Sequence, residues 1–485
     1  MTAQTPVFIS GNFNVLHAGH IRLFAFACNF GPRLIVGVVS DRLAGDSAYI
    51  NENLRLEAVK TNSWVSEAIL IDEPIDQVLR RIRPDVVVKG REFENQDNIE
   101  SLVITTWGGR LIFGSSELPL SSIDMMRREL APAAPAIFSL PQAYMARHKI
   151  SRESLAEVVR SFVGLKVCVV GDLIVDEYIS CESLGMSRED PSLVVTPLDK
   201  KRFLGGAGIV AAHASGLGAD SALITVTGDD ECSRFAGAKL SAFEVTSSPI
   251  LDDSRPTTLK QRFRSEGKTL LRVSHLVQSS ISPSLQEQIY QQFLNRLENC
   301  DLVVFSDFNY GCLPSNLVEK CVNEATSRGI ICVADSQCSS QVGDVSRFQN
   351  MALIAATERE VRISLRDNDD GLTVIADRLK RLARATNVMV KLGADGVLLH
   401  MEDDSHRTVT NQLPALNPYP VDVAGAGDSM LIAAGLALAA HASPWEAAAL
   451  GAIAAAMQVG KLGNNPIQRT DYIQVLENLA PGGSC

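Results

Sequence analysis

The sequence predicts an α/β protein of two domains, each built on a parallel sheet, the second carrying a small β lid. Three observations carry this reading. Short β-rich runs alternate with helical patterns over residues 5–115, a Pro/Ala-rich break follows, and a second alternating series opens at Lys166. In the first series 7–10, 34–39, 68–71, 86–88 and 110–113 read as strands, and 52–64 and 75–82 as helices. The stretch 130–141 (LAPAAPAIFSLP) has little periodicity and reads as a linker or crossing segment. The domains are therefore expected at 1–130 and 161–485, with 131–160 as linker and connecting helix. In the second series 221–227, 302–306, 330–335, 352–355 and 388–392 read as strands. Residues 190–200 and 257–273 show alternating apolar patterning without intervening helices, which predicts the lid. Two Ala-rich helices, 430–441 and 446–459, close the chain.

At 485 residues, 46% hydrophobic and 21% charged, the chain has ample core for two or three domains. A net charge of −11 argues against nucleic acid or an anionic membrane as the main partner. No apolar stretch resembles a membrane span, and the N-terminus lacks the basic region of a signal peptide. The ten cysteines contain no CxxC pair and read as reduced thiols of a cytoplasmic protein.

Two motifs carry chemistry. Asp422-Val-Ala-Gly-Ala-Gly-Asp428-Ser429 sets two carboxylates around a small-residue turn before an apolar helix. Uncovered N–H groups at a helix start, aided by the helix dipole, make an anion hole from Gly425, Ala426 and Gly427. Asp428 at its lip is placed to take the proton of a hydroxyl attacking a phosphate. A glycine C-cap or tight turn is the plainer alternative. The second motif runs from a strand through Gly11 and Asn14 to His17-Ala-Gly-His20 at a helix start. Paired imidazoles there suit a triphosphate attacked at its α-phosphorus. A metal site or a purely structural pair are the alternatives, and no third ligand lies close in sequence.

With Ser40-Asp41, Asn51-Glu52-x-x-Arg55, the run from Arg83 to Lys89-Gly90, and Ser121-Ser122, the first 130 residues resemble the Rossmann-like HxGH nucleotidyltransferases. Residues 160–475 resemble the ribokinase-like (PfkB) sugar kinases. The matching pieces are Gly171-Asp172-x-x-x-Asp176, Gly205-Gly206-Ala207, Gly228-Asp-Asp230, Arg255-Pro-Thr-Thr-x-Lys260, Ser306-Asp307, Lys391-Leu-Gly393-Ala-Asp-Gly396 and the GAGD turn. Within those superfamilies the chain is similar to the two halves of the bifunctional heptose 7-phosphate kinase and heptose 1-phosphate adenylyltransferase of ADP-heptose synthesis, in reversed order.

The resemblance implies roles. Asp428 would be the general base, and Asp172, Asp176, Gly205, Gly206 and Lys260 would surround the sugar. Lys391, Gly393 and Gly396 would border ATP, and Glu360 would assist Mg²⁺ indirectly. In the first domain His17, His20 and Lys89 would act on the triphosphate. Gly11, Asn14, Arg55, Ser121 and Ser122 would contact the nucleotide, ATP or CTP. Sugar phosphates would be the other substrates, and a homodimer would form through the kinase domain. Plainer readings stand beside several of these: strand-end caps for Asp172 and Asp176, helix caps for Ser121 and Ser122, a solvated helix position for Glu360, and a turn for Asp229-Asp230.

The chain departs from the heptose enzyme at Tyr310 and Gln337, where that family has lysines. Thr357 replaces the Asn of its N-x-x-E motif. Asn14 replaces an Asp, and Ile123 a hydroxyl residue. A lysine beside a phosphoryl group supplies a point charge that neither Tyr nor Gln replaces.

Overall fold

The computed structural model describes residues 6–478 except 15, 17, 29, 63, 91–97, 115–139, 188, 266–267, 338–342 and 404. The chain divides into two compact units, Met1–Ala134 and Pro135–Cys485.

The first unit holds five strands: β1 (Val7–Gly11), β2 (Leu34–Val39), β3 (Glu67–Ile71), β4 (Val86–Gly90) and β5 (Arg110–Gly114). They form a parallel sheet in the order β3-β2-β1-β4-β5. Alternate residues feed two cores: Val7, Ile9, Val36, Val38, Val86 and Val88 on one face, and Phe8, Ile35, Ile71 and Val87 on the other. A sheet covered on both faces needs such continuous apolar strands. The order reverses between β1 and β4, so their carboxyl ends, at Gly11 and Lys89, open a crevice of the kind where ligands bind in open α/β sheets. The helix expected over 52–64 stops earlier, as Glu52–Lys60.

In the second unit, helices Gln142–His148 and Arg152–Arg160 come first, and Tyr144, Leu155 and Val159 enter its core. Its strands are β6 (Lys166–Gly171), β7 (Leu173–Met186), β8 (Leu193–Gly206), β9 (Asp220–Ile224), β10 (Val226–Thr227), β11 (Thr246–Ser247), β12 (Ile250–Leu251), β13 (Thr258–Ser265), β14 (Lys268–His275), β15 (Leu302–Asp307), β16 (Ile331–Ser336), β17 (Leu353–Thr357), β18 (Asn387–Lys391), β19 (Val397–Glu402) and β20 (Thr408–Leu413). The main sheet runs β11-β9-β6-β15-β16-β17-β18-β19-β20, parallel as far as β18 and antiparallel beyond. Val169, Val304 and Met389 join one core layer, while Val170, Phe305 and Val388 join the other.

The lid is a four-stranded sheet, β14-β13-β7-β8, and β10 pairs with β12 separately. Its 14-residue strand β7 is buried over its first seven residues and largely exposed after that. The closing helices are Ala426–Ala439 and Pro444–Val459. The first begins four residues before the expected 430, because Ala426 and Gly427 already take helical conformation and Gly425 is the cap.

Candidate active site

Between the lid and the carboxyl ends of the main sheet lies a cavity of about 940 Å³. The Ala426–Ala439 helix aims its N-terminus into it. Gly425 caps that helix at φ +75°, and a Cβ there would lie 2.4 Å from Asn464 Oδ1, so the turn requires glycine. Gly425, Ala426, Gly427 and Asp428 all line the cavity. Asp428 is only 6% exposed. Burial, then the Asp335 carboxylate, push its pKa up to about 7, against the pull of Lys391 and Lys260.

Beneath this helix start, Lys391 Nζ donates to Asp335 Oδ2 at 2.6 Å. Burial works against its charge, but Asp335 and then Glu360 outweigh that and hold its pKa above the usual range. Glu360 is buried and lines the cavity. Its carboxylate accepts from the Thr357 N–H at 2.6 Å, and Thr357 Oγ1 accepts from the Glu360 N–H at 3.3 Å. It is thus a capping-box residue rather than a solvated helix position, and Thr357, where the resembled family has Asn, is the cap itself. Gly393 and Gly396 border the same end of the cavity.

The lid supplies the other wall. Asp176 is buried on β7, with Arg262 Nη2 donating to it at 3.4 Å and Asn464 Nδ2 at 3.4 Å. Lys260 reaches in from β13, and Gly206 closes β8 opposite Leu173, with Gly205 opposite Ile174. Tyr310 and Gln337 line the cavity too. Sequence reading missed Arg262, Arg272 and Asn464, which line it as well. They belong to no motif and reach the site only through lid pairing and the turn after the last Ala-rich helix.

One expectation is corrected here. Asp172 does not face the large cavity. Its Oδ2 accepts from the N–H groups of Phe308 (2.8 Å) and Tyr310 (3.2 Å), and its Oδ1 from that of Cys312 (3.2 Å). It organises the 308–312 loop and is not placed to hold the sugar. Burial and the neighbouring Asp307 push its pKa up to about 6. Asp422, the outer acid of the motif, is committed as well: Oδ2 accepts from Tyr178 Oη (2.6 Å) and the Gly463 N–H (3.0 Å), bracing the turn against the lid. Asp230 serves a turn, capping its helix at the Ser233 N–H and accepting from the Thr257 N–H.

In the first unit Gly11 ends β1, and Phe13 follows in the left-handed region at φ +48°. His20 lies in the helix Ala18–Ala27, its ring 5.1 Å from that of Phe13. Lys89 Nζ, at the end of β4, donates to Glu100 Oε1 at 2.7 Å. Asn14 is turned to its own chain: Nδ2 donates to the Ser47 carbonyl (2.8 Å) and Oδ1 accepts from the Tyr49 N–H (2.9 Å). Arg55 is corrected from phosphate ligand to framework. It is 1% exposed and donates to the Ile50 carbonyl (2.7 Å), the Asn12 carbonyl (2.6 Å) and Asp41 Oδ1 (2.5 Å). His17, Ser121 and Ser122 lie outside the described residues.

Among the described residues no group of His, Cys, Asp and Glu could by itself hold a metal ion, and no helix is long and apolar enough to cross a membrane.

Comparison with known proteins agrees with this division. A family profile described as pfkB family carbohydrate kinase matches residues 165–470, and one described as cytidylyltransferase-like matches 8–107. The chain is 30% identical over 325 residues to a bifunctional HldE protein of Desulfatibacillum aliphaticivorans, covering 66% of this chain and 65% of that relative. It is 28% identical over 318 residues to one from Helicobacter hepaticus, covering 64% of each. The chain thus spans about two thirds of the length of the curated relatives it matches. Among solved structures, phosphofructokinase-2 of Escherichia coli matches at TM-score 0.54 and 18% identity, over 66% of this chain and 100% of that one. A ribokinase of Thermotoga maritima matches at 0.51 and 20%, over 64% and 99%. These two show a shared fold. With its 165–470 segment matched along the unit that holds the glycine-rich turn and Asp428, the chain belongs to the pfkB family of carbohydrate kinases.

Proposed function

We propose that this protein is a bifunctional enzyme of nucleotide-activated sugar synthesis. Its second unit transfers the ATP γ-phosphoryl group to C1 of a sugar phosphate, heptose 7-phosphate. Its first unit transfers a nucleotidyl group from ATP to the resulting sugar 1-phosphate and releases pyrophosphate, giving ADP-heptose. The observation that carries the kinase reading is Asp428, buried at a helix N-terminus beside Lys391 and Lys260 in one cavity. Asp428 takes the sugar hydroxyl proton, while the N–H groups of 425–427 hold phosphate. His17, His20 and Lys89 would serve the triphosphate in the first unit.

Mg²⁺ fits the cavity as a companion of the nucleotide. Asp335 Oδ1 is buried without a hydrogen-bond partner, and Glu360 stands near the same Lys391. Mg²⁺ is usually held by one or two carboxylates together with substrate phosphates. When bound it would neutralise charge on the β- and γ-phosphates.

The committed amide of Asn14 favours a second reading, in which the first unit binds nucleotide without turnover. A cytoplasmic homodimer paired through the lid is also proposed, supported by the exposed Leu184, Met186 and Leu198 on β7 and β8.

Phosphorylation of a panel of sugar 1-, 6- and 7-phosphates, with ATP and CTP offered separately, tests the assignment. Turnover restricted to the 7-phosphate with ATP is expected, and no turnover of any member would end the kinase reading. For the first unit, pyrophosphate release should collapse in His17→Ala. Equal rates would remove the His17 assignment, and no release from the wild type would support the non-catalytic reading.

A further inference from the structure

Lys260 is held in the cavity by aromatic faces rather than by a carboxylate. Its Nζ lies 4.7 Å from the ring centre of Phe308 and 5.0 Å from that of Tyr310. Among the described residues it makes no ion pair, whereas Arg262 is bonded to Asp176 and Lys391 to Asp335. A ring face attracts and orients an ammonium without neutralising it. The charge therefore remains available to a ligand.

The loop that carries both rings is fixed in place. Asp172 accepts from the N–H groups of Phe308, Tyr310 and Cys312, and Lys260 sits opposite Asp176 in the β13–β7 register. The ammonium also acts on the two carboxylates of the reaction centre, lowering the pKa of Asp428 and Asp176 against the rise that burial causes. A lysine at 310 would set a second positive charge where the Tyr310 ring now seats Lys260.

We propose that Lys260, seated on Phe308 and Tyr310, is the cation that meets the phosphoryl group in transfer, and that Tyr310 is its positioning residue. This rests on the kinase reading. In the step, the sugar hydroxyl oxygen bonds to the γ-phosphorus and its proton passes to Asp428. The bond from γ-phosphorus to the β–γ bridging oxygen breaks, and ADP leaves with the electron pair. Lys260 stays protonated throughout and stabilises the charge on the transferring oxygens.

The test is phosphoryl transfer by the full chain, using γ-labelled ATP, Mg²⁺ and the same sugar phosphate panel, with ATP binding measured by calorimetry for every variant. Lys260→Met is expected to lower kcat by about 100-fold with the KM for ATP nearly unchanged, and Lys260→Arg to lower it less. Tyr310→Phe, which keeps the ring, should lose far less kcat than Tyr310→Leu. Tyr310→Leu should lose about tenfold alone, and little more when added to Lys260→Met. Lys260→Met with Tyr310→Lys should recover about tenfold over Lys260→Met, since it returns a charge to the same spot. An active wild type with Lys260→Met of equal kcat overturns the proposal and leaves the kinase reading standing. Tyr310→Phe as damaging as Tyr310→Leu overturns the positioning role. A wild type that binds ATP but phosphorylates nothing overturns both readings.

Discussion

Gly427 lies directly over the Lys391 ammonium: a Cβ at Gly427 would stand 3.0 Å from Nζ and 3.6 Å from Asp335 Oδ2. The lysine tip is flexible in general, but here the 2.6 Å bond to Asp335 pins it. A methyl at 427 must then push the ammonium from beneath the helix start or tilt the first helical turn. Gly427→Ala should therefore raise the KM for ATP about tenfold or more, through loss of roughly 1.4 kcal/mol of phosphate binding. Stability should change little, since Ala is the better helix former. An ATP titration beside a urea melt separates the two effects.

Asp428 should give the kinase an acidic limb near pH 7. Burial and the Asp335 charge raise its pKa to about 7, with Lys391 and Lys260 opposing and Asp176 adding to the rise. As a base it works deprotonated, so kcat/KM should fall as pH drops through 7. The same shift has a stability consequence. The folded state holds this proton between about pH 4 and 7 while the unfolded chain has lost it, so stability declines as pH rises through that window. Asp428→Asn removes the buried charge. It should abolish phosphoryl transfer yet melt higher than wild type at pH 8, by at most about 4 kcal/mol, three units at 1.36 kcal/mol each. At pH 4 the two should melt alike.

The part played by Asp172 is checked by pairing stability with kinetics. Removing its carboxylate strands three buried N–H groups, those of Phe308, Tyr310 and Cys312. Each orphaned donor costs about 1–3 kcal/mol, partly relieved by water. Asp172→Ala should thus destabilise the second unit by roughly 3–5 kcal/mol in urea unfolding. A sugar ligand would instead raise the acceptor KM at unchanged stability.

Most parallel strands of both sheets and the glycine-rich helix start were legible in the sequence because apolar strand runs and Gly-rich turns are local signals, whereas β11, β19 and β20 were not marked. Strands β2 and the helix Ile75–Ile82 fall on the residues the periodicity marks. The long strand β7 was not legible. Its first half is buried, including Asp176 and Glu177, while its second half is largely exposed, so no single period runs through it. Lid pairing was equally hidden, since β13 adds parallel to β7 more than 80 residues away. The same distance explains Asp172, whose partners lie 136 to 140 residues downstream. A carboxylate after a strand looks alike in sequence whether it faces a sugar or a loop of its own chain.

Arg55 poses that question in the first unit. All three of its bonded partners belong to the protein: the carbonyls of Ile50 and Asn12 and the Asp41 carboxylate, which this guanidinium holds below its ordinary pKa. The Asn12 bond ties the turn after β1 to the helix Glu52–Lys60, and Asn14 ties the same turn to residues 47 and 49. A lysine has one compact donor head and cannot span three acceptors in a plane. Arg55→Lys should therefore lower the melting temperature of the first unit by several degrees and reduce pyrophosphate release in proportion to the fraction unfolded. A phosphate-binding arginine would behave in the opposite way, with a raised KM for ATP at an unchanged melting temperature. Differential scanning calorimetry beside a pyrophosphate assay decides between the two, because a turn held by Arg55 fails by unfolding and a ligand contact fails by affinity.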